Sequence, residues 1–413
     1  MVEQARKPRL HVCYVSGLDL RRATPSTMPF LAAAIARFPF ARLRNLPSNE
    51  LFPTLVTGLL PPRHGVWGVR LAARERTLAD SAVDLIPESL TTAWQCLRHW
   101  ADRRYDLAAV PPRRRRRLLL TRTKYKRRTL RPEALFGIGG VRTVFDVVGD
   151  GESRYVFSAS YHPERLLGRV GRGDVALEIL ELYSLDRHQQ WNLDREGETL
   201  RFYGVLDRFL ERLVAEAAAH DVAVVLVSDH GHERIRESID LERGLRELGI
   251  GMRHADWFTE VSNARFWLHD DGVRRALADW LRALGKGTLL TWEEMRAVDV
   301  ALEDASYGEL FYYLDPGHIF FPHDFHHPLA NLWLGLSDRL QRSRLVDPRH
   351  RGNHGHLPHF EAERCFATVL DERFECIRPE GRIVDVAPTI LAMLGETSMD
   401  GMEGTALFQA RPR

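Results

Sequence analysis

Lysine is nearly missing from this 413-residue chain: Lys7, Lys124, Lys126 and Lys286 are all there is, so arginine carries almost all the positive charge. Cysteine is scarce as well. Cys13, Cys96, Cys365 and Cys376 are scattered and form no CxxC pair. That argues against a disulfide framework and suits reduced thiols in a cytoplasmic protein. Long apolar runs are absent. The opening MVEQARKPRLHVCYVSG holds an apolar run of only about five or six residues, too short for a signal-peptide core or a membrane span. There is no internal repeat and no low-complexity linker. A net charge of +2 singles out no class of partner, and 44% hydrophobic with 28% charged residues is ordinary for a soluble globular chain. The length allows one large domain or two, and the oligomeric state is not legible.

What is present has a rhythm. LHVCYVSGLD (10–19) reads as a short buried strand, and VVLVSDHGHERI (224–235) runs an apolar stretch into Asp229, His230, Gly231 and His232. TMPFLAAAIARF (27–38) has helical spacing, and TLRFYGVLDRFLERLVAEAAAH (199–220) places Phe202, Val205, Phe209, Leu213 and Val214 on one helix face. Helices alternating with short apolar strands, with polar residues gathered at the strand ends, predict an α/β fold. Its sheet is mostly parallel and carries a site along its carboxyl edge. From 263 to 345 the rhythm breaks, and the aromatic-rich stretch 306–334 suggests an antiparallel or irregular insertion acting as a cap. The expected division is a core of 1–262 and 346–413, with a basic insertion at about 108–135, and a cap of 263–345.

Asp19, Asp186, Asp229, His230 and His354 follow apolar segments or sit in glycine-flanked turns. Taken singly, an aspartate after a strand is a turn or cap residue and a loop histidine is solvated. Carboxylates and imidazoles delivered together from several strand ends are what a divalent zinc or manganese site needs. Two such ions roughly 4 Å apart would clamp the attacking and leaving oxygens of a phosphoryl transfer.

The ordered motifs YVSGLDL, PSNELFPTLVTGLLPPRHGVWG, LYSLDRHQQ, VLVSDHGH, GNHGHLP and VDVAPTILAMLG with DGMEGTAL resemble the alkaline phosphatase superfamily. Within it they are most similar to the type I phosphodiesterase and nucleotide pyrophosphatase branch. The resemblance implies that family's mixed, mostly parallel sheet flanked by helices on both faces, with a smaller inserted cap. It also implies a metal-dependent phosphate ester hydrolase acting on a phosphorylated small molecule through a phosphoenzyme. Zinc is the first candidate for the two ions, manganese or magnesium the alternatives. Asp19, Asp229 and His230 would hold one ion together with the oxygen of the nucleophile, Ser48. Asp186 and His354 would hold the other, and Asn49 would bind a phosphate oxygen.

Two departures stand out. Pro53 follows Ser48 by five residues, so the helix is expected to begin at Pro53 with Ser48 on a loop, and Thr54 is the substitute nucleophile. Where the family has a ligand histidine four residues after Asp186, this chain has Gln190. Either His188 turns into the site, or the second ion is weakly held, or it is absent. His232 and His356 are reserves, read first as neighbours of the ligands. The arginine-rich block 113–131 contains a single aromatic, Tyr125. It is either a solvated insertion or a source of arginines for a polyanionic substrate; nucleic acid is the less favoured partner. A phosphonate hydrolase of the same fold and a non-catalytic phospholigand- or nucleic-acid-binding relative are the alternative functions.

Overall fold

The structure is a computed structural model that describes residues 8–68, 70–72, 87, 90, 93, 118–120, 140–149, 151–302, 305–324, 326, 328–337, 339–397 and 401–412. Its centre is a sheet of seven strands. From edge to edge they run Glu380–Arg382, Phe40–Arg44, Arg364–Val369, Ala223–Ser228, Leu10–Val15, Leu177–Leu182 and Ser153–Ser158. Every pairing is parallel except the two made by Arg364–Val369, which runs against both its neighbours. The expected mixed, mostly parallel sheet is therefore what forms.

Period-two alternation sends each strand's side chains to opposite faces, and here both faces are buried. Leu10, Val12 and Tyr14 pack with Ile179 and Val225 against helices Phe52–Thr57 and Val386–Met393. Cys13 and Val15 point the other way, with Leu180 and Leu226, into helices Pro29–Arg37 and Glu196–Ala219. Burial on both sides explains the near-continuous apolar runs of these strands.

The parallel strands share one carboxyl edge, and the segments leaving it are Ser16–Asp19, Asn45–Ser48, Tyr183–Asp186 and Asp229–His232. The antiparallel strand enters from that same edge, with Phe366 opposite Ser228, so the chain just before it, from His354 to Glu363, is brought there as well.

A second sheet is four-stranded and antiparallel, in the order Ala255–Thr259, Asn263–Leu268, Leu310–Leu314 and Gly287–Thr291. It already begins at Ala255, ahead of the boundary expected at 263. Leu277 and Leu281 of helix Asp271–Ala283 share a core with Phe266 and Leu310. Of the arginine-rich block, only Leu118–Leu120 is described, as a short strand antiparallel to Arg70–Ala72; the rest lies outside the described residues.

Candidate metal centre

Asp186 lies in the first turn of helix Ser184–Asn192, directly after the Leu177–Leu182 strand, where the positive end of the helix favours a carboxylate. Four residues on, the same helix face carries Gln190, whose Nε2 donates to Asp186 Oδ2 at 2.8 Å. His188 faces elsewhere. Two residues along a helix is a turn of roughly 200°, and its ring sits between the Tyr161 hydroxyl and Thr199 Oγ1. His188 is thus no partner of Asp186, which corrects the first of the alternatives left open by Gln190.

The turn after Ala223–Ser228 delivers His230 and His232, and the loop before the antiparallel strand delivers His354. His232 Nε2 stands 3.1 Å and His354 Nε2 3.3 Å from the same oxygen, Asp186 Oδ1. One donor atom each from Asp186, His230, His232 and His354 lie within 4.8 Å of one another. The His230 and His354 rings stack at 3.7 Å, and His230 Nδ1 is bonded to the Gly231 carbonyl at 2.9 Å. A ring nitrogen facing a carbonyl must donate, so Nε2 of His230 is left with its lone pair. Asp186 Oδ1 and His232 Nε2 are buried, yet neither makes an oriented hydrogen bond among the described residues. Buried polar atoms without a hydrogen bond are rare. A divalent ion fits here by its donor set, one carboxylate and up to three imidazoles.

The remaining expected residues are placed differently. Asp229 Oδ2 accepts from the Tyr14 hydroxyl and, at 3.1 Å, from Ser16 Oγ, while Oδ1 accepts from the Gly17 amide at 3.1 Å. Asp19 is gripped by Arg21 and Arg22, each with a guanidinium nitrogen 2.7 Å from Oδ2. Ser48 lies on the loop before helix Phe52–Thr57, and its hydroxyl donates to the Trp67 carbonyl at 2.9 Å. The Asn49 amide is held from the turn between the first two strands of the second sheet, donating to Glu260 and accepting from Asn263 at 3.1 Å. Thr54 is buried against His64 Nε2 at 3.0 Å. His356 Nδ1 donates to the Leu314 carbonyl at 2.8 Å, outside the cluster.

Sequence reasoning did not single out Tyr14 and Ser16. Their signal is period two: both share a strand face leading to the carboxyl edge, beside Asp229. It also missed Glu363, whose carboxylate accepts from the His356 amide at 2.9 Å.

Charge in this pocket is polarised. Burial pushes the Asp186 carboxyl up, but His232 and His354 outweigh it and hold it well below the usual carboxylate range. Burial brings His232 down to about 3 and lowers His230 too, so both are neutral and able to donate electron pairs near pH 7. Desolvation works against protonated His354, yet Asp186 raises it above the ordinary imidazole value. Burial pushes the Glu363 carboxyl up to about 7.

Residues 150–339 match the family model of type I phosphodiesterases and nucleotide pyrophosphatases. A comparison with curated protein sequences finds no match. Among solved structures, the chain is similar to murine ectonucleotide pyrophosphatase/phosphodiesterase 5, in an inactive threonine-to-alanine variant in complex with AMP. The TM-score is 0.63 at 12% identity, over 95% of this chain and 96% of that one. The human counterpart gives 0.62 at 12% identity, over 96% and 97%. The likeness at this identity is one of fold, and it spans both sheets.

Proposed function

We propose, with kinship to the type I phosphodiesterase and nucleotide pyrophosphatase branch of the alkaline phosphatase superfamily as the premise, that this chain hydrolyses phosphate esters at the Asp186 cluster. One observation carries the reading: His232 Nε2 and His354 Nε2 converge on the buried Asp186 Oδ1 at 3.1 and 3.3 Å. A divalent ion bound there would supply Lewis acidity to a phosphoryl oxygen and lower the pKa of an attacking hydroxyl.

Ser48 is the proposed nucleophile. Its loop leaves the same sheet edge, where the Asn45 amide donates to the Asp229 carbonyl at 3.1 Å. With its proton directed at the Trp67 carbonyl, Ser48 Oγ keeps a lone pair for phosphorus. Attack forms the Oγ–P bond as the bond to the leaving oxygen breaks, the hydroxyl's proton ending on the leaving oxygen, and water then cleaves the serine ester, returning a proton to Ser48 Oγ. The murine relative binds AMP, which makes nucleotide esters the first substrates to try. A cytoplasmic location belongs to the same proposal, motivated by the free thiols of Cys13, Cys365 and Cys376; recovery in an exported fraction would refute it.

The test is turnover of bis-p-nitrophenyl phosphate, a dinucleotide, a phosphomonoester and a phosphonate with added zinc, manganese or magnesium. Turnover of a diester is expected, together with a loss beyond roughly 100-fold in Asp186→Asn and a fall to background in Ser48→Ala. No turnover of any substrate with any of the metals would end the hydrolase reading. Full activity in Ser48→Ala would remove Ser48 from its role.

A further inference from the structure

We infer that this chain holds one divalent ion rather than the pair its resemblance implies, with His232 supplying the imidazole that position 190 lacks. The inference rests on the same cluster as the proposed hydrolase and concerns how that cluster is built.

At the Asp186 side the donors gather. A tetrahedral ion with ligands at about 2.0–2.1 Å sets those ligands roughly 3.3 Å apart. The separations of Asp186 Oδ1 from His232 Nε2 and His354 Nε2, 3.1 and 3.3 Å, are ligand-to-ligand distances of that kind. His230 brings a fourth donor within 4.8 Å. Gln190 shares the helix face of Asp186 but gives a donor amide, spent at 2.8 Å on the other carboxylate oxygen. It orients Asp186 instead of binding beside it. His232 arrives from a different element and fills the vacant role.

At the Asp229 side the donors are missing among the described residues. The strand that should bring a carboxylate brings the Ser16 hydroxyl, which itself donates to Asp229 at 3.1 Å. Tyr14 and the Gly17 amide also donate to Asp229, so three neutral donors balance this carboxylate where a cation would otherwise stand. Asp19 is neutralised by two guanidinium groups. Among the described residues, His230 Nε2, 3.4 Å from Asp229 Oδ2, is the ring nitrogen on that side, and His230 already belongs to the Asp186 cluster. One carboxylate sharing one imidazole is too few ligands for a second ion.

The experiment is a zinc titration of chelator-treated full-length protein, with bound metal counted by elemental analysis and cobalt(II) absorption reporting geometry. One equivalent per chain is expected, with an intense tetrahedral cobalt spectrum. His232→Gln should weaken binding at least roughly 100-fold, and His232→Gln with Gln190→His should recover it, which shows that the single variant is folded. Asp229→Asn should keep one equivalent. Two equivalents in the wild type, or undiminished binding in His232→Gln, would overturn the inference. None of these readouts is turnover. One bound ion without hydrolysis refutes the proposed function alone, and two bound ions in an active enzyme refute this inference alone.

Discussion

His188 and His232 show how a single side chain's direction decides its use. Both are buried histidines, His188 on Asp186's own helix and His232 on the turn beside it, but only His232 presents a nitrogen to the carboxylate. His188 instead bridges the Tyr161 and Thr199 hydroxyls and packs edge-on to Tyr161, with ring centroids 5.5 Å apart. Replacing it therefore separates packing from metal binding. His188→Leu is expected to cost about 1–3 kcal/mol, because two hydroxyls lose a partner, and to leave zinc affinity within about threefold. Urea denaturation and a zinc titration measure the two effects. A variant of undiminished stability with collapsed affinity would put His188 back among the ligands.

Between elements, the close approach of the Leu10–Val15 strand end to helix Ser184–Asn192 depends on one glycine. Gly17 has φ +80°, and a Cβ there would stand 3.1 Å from Asp186 Cα, Gln189 Nε2 and His232 Cε1. Gly65 has a similar φ of +75° but nothing within 4 Å of an added Cβ. Gly65→Ala should thus show the backbone cost alone, about 1–2 kcal/mol, with zinc binding intact. Gly17→Ala should lose more stability and also weaken zinc binding, since the added carbon presses on both Asp186 and His232. Equal effects of the two substitutions, by denaturation and metal titration, would show that the crowding at Gly17 is relieved elsewhere. The elements themselves were legible: apolar runs, helical spacing and ordered motifs point to the mostly parallel sheet and to its carboxyl edge as the place where polar residues gather. The motifs divide His230 from Asp186 and His354, however, and the fold brings the three together. The contacts of Asp19, Asn49 and His188 were not legible. They depend on neighbours distant in sequence or on rotation about a helix axis, and Arg22, Glu260 and Tyr161 leave no mark on the motifs they silence.

Over the whole molecule, neutral buried histidines recur outside the Asp186 cluster. Burial brings His64, beside Thr54, to about 3, His188 to about 4 and His323, after the second sheet, to about 3. An unfolded chain would protonate each near 6.5. In the window between about 4 and 6.5 the unfolded state therefore binds more protons, so stability rises with pH there and is lost on acidification. Glu363, raised to about 7, acts in the opposite sense above its unfolded value of about 4.5 but is one group against three. The metal-free protein should lose stability steeply from pH 6.5 to 4.5 in urea denaturation. Near pH 5 each such histidine adds a slope of roughly 1.4 kcal/mol per pH unit. His64→Gln isolates one of them: it should flatten the profile by about that amount while leaving zinc stoichiometry alone, because His64 bonds only to Thr54 Oγ1 and the Val66 amide among the described residues. An unchanged slope in that variant would mean that His64 takes up its proton in the folded state, and that the helix Phe52–Thr57 opens to water well before the sheet does.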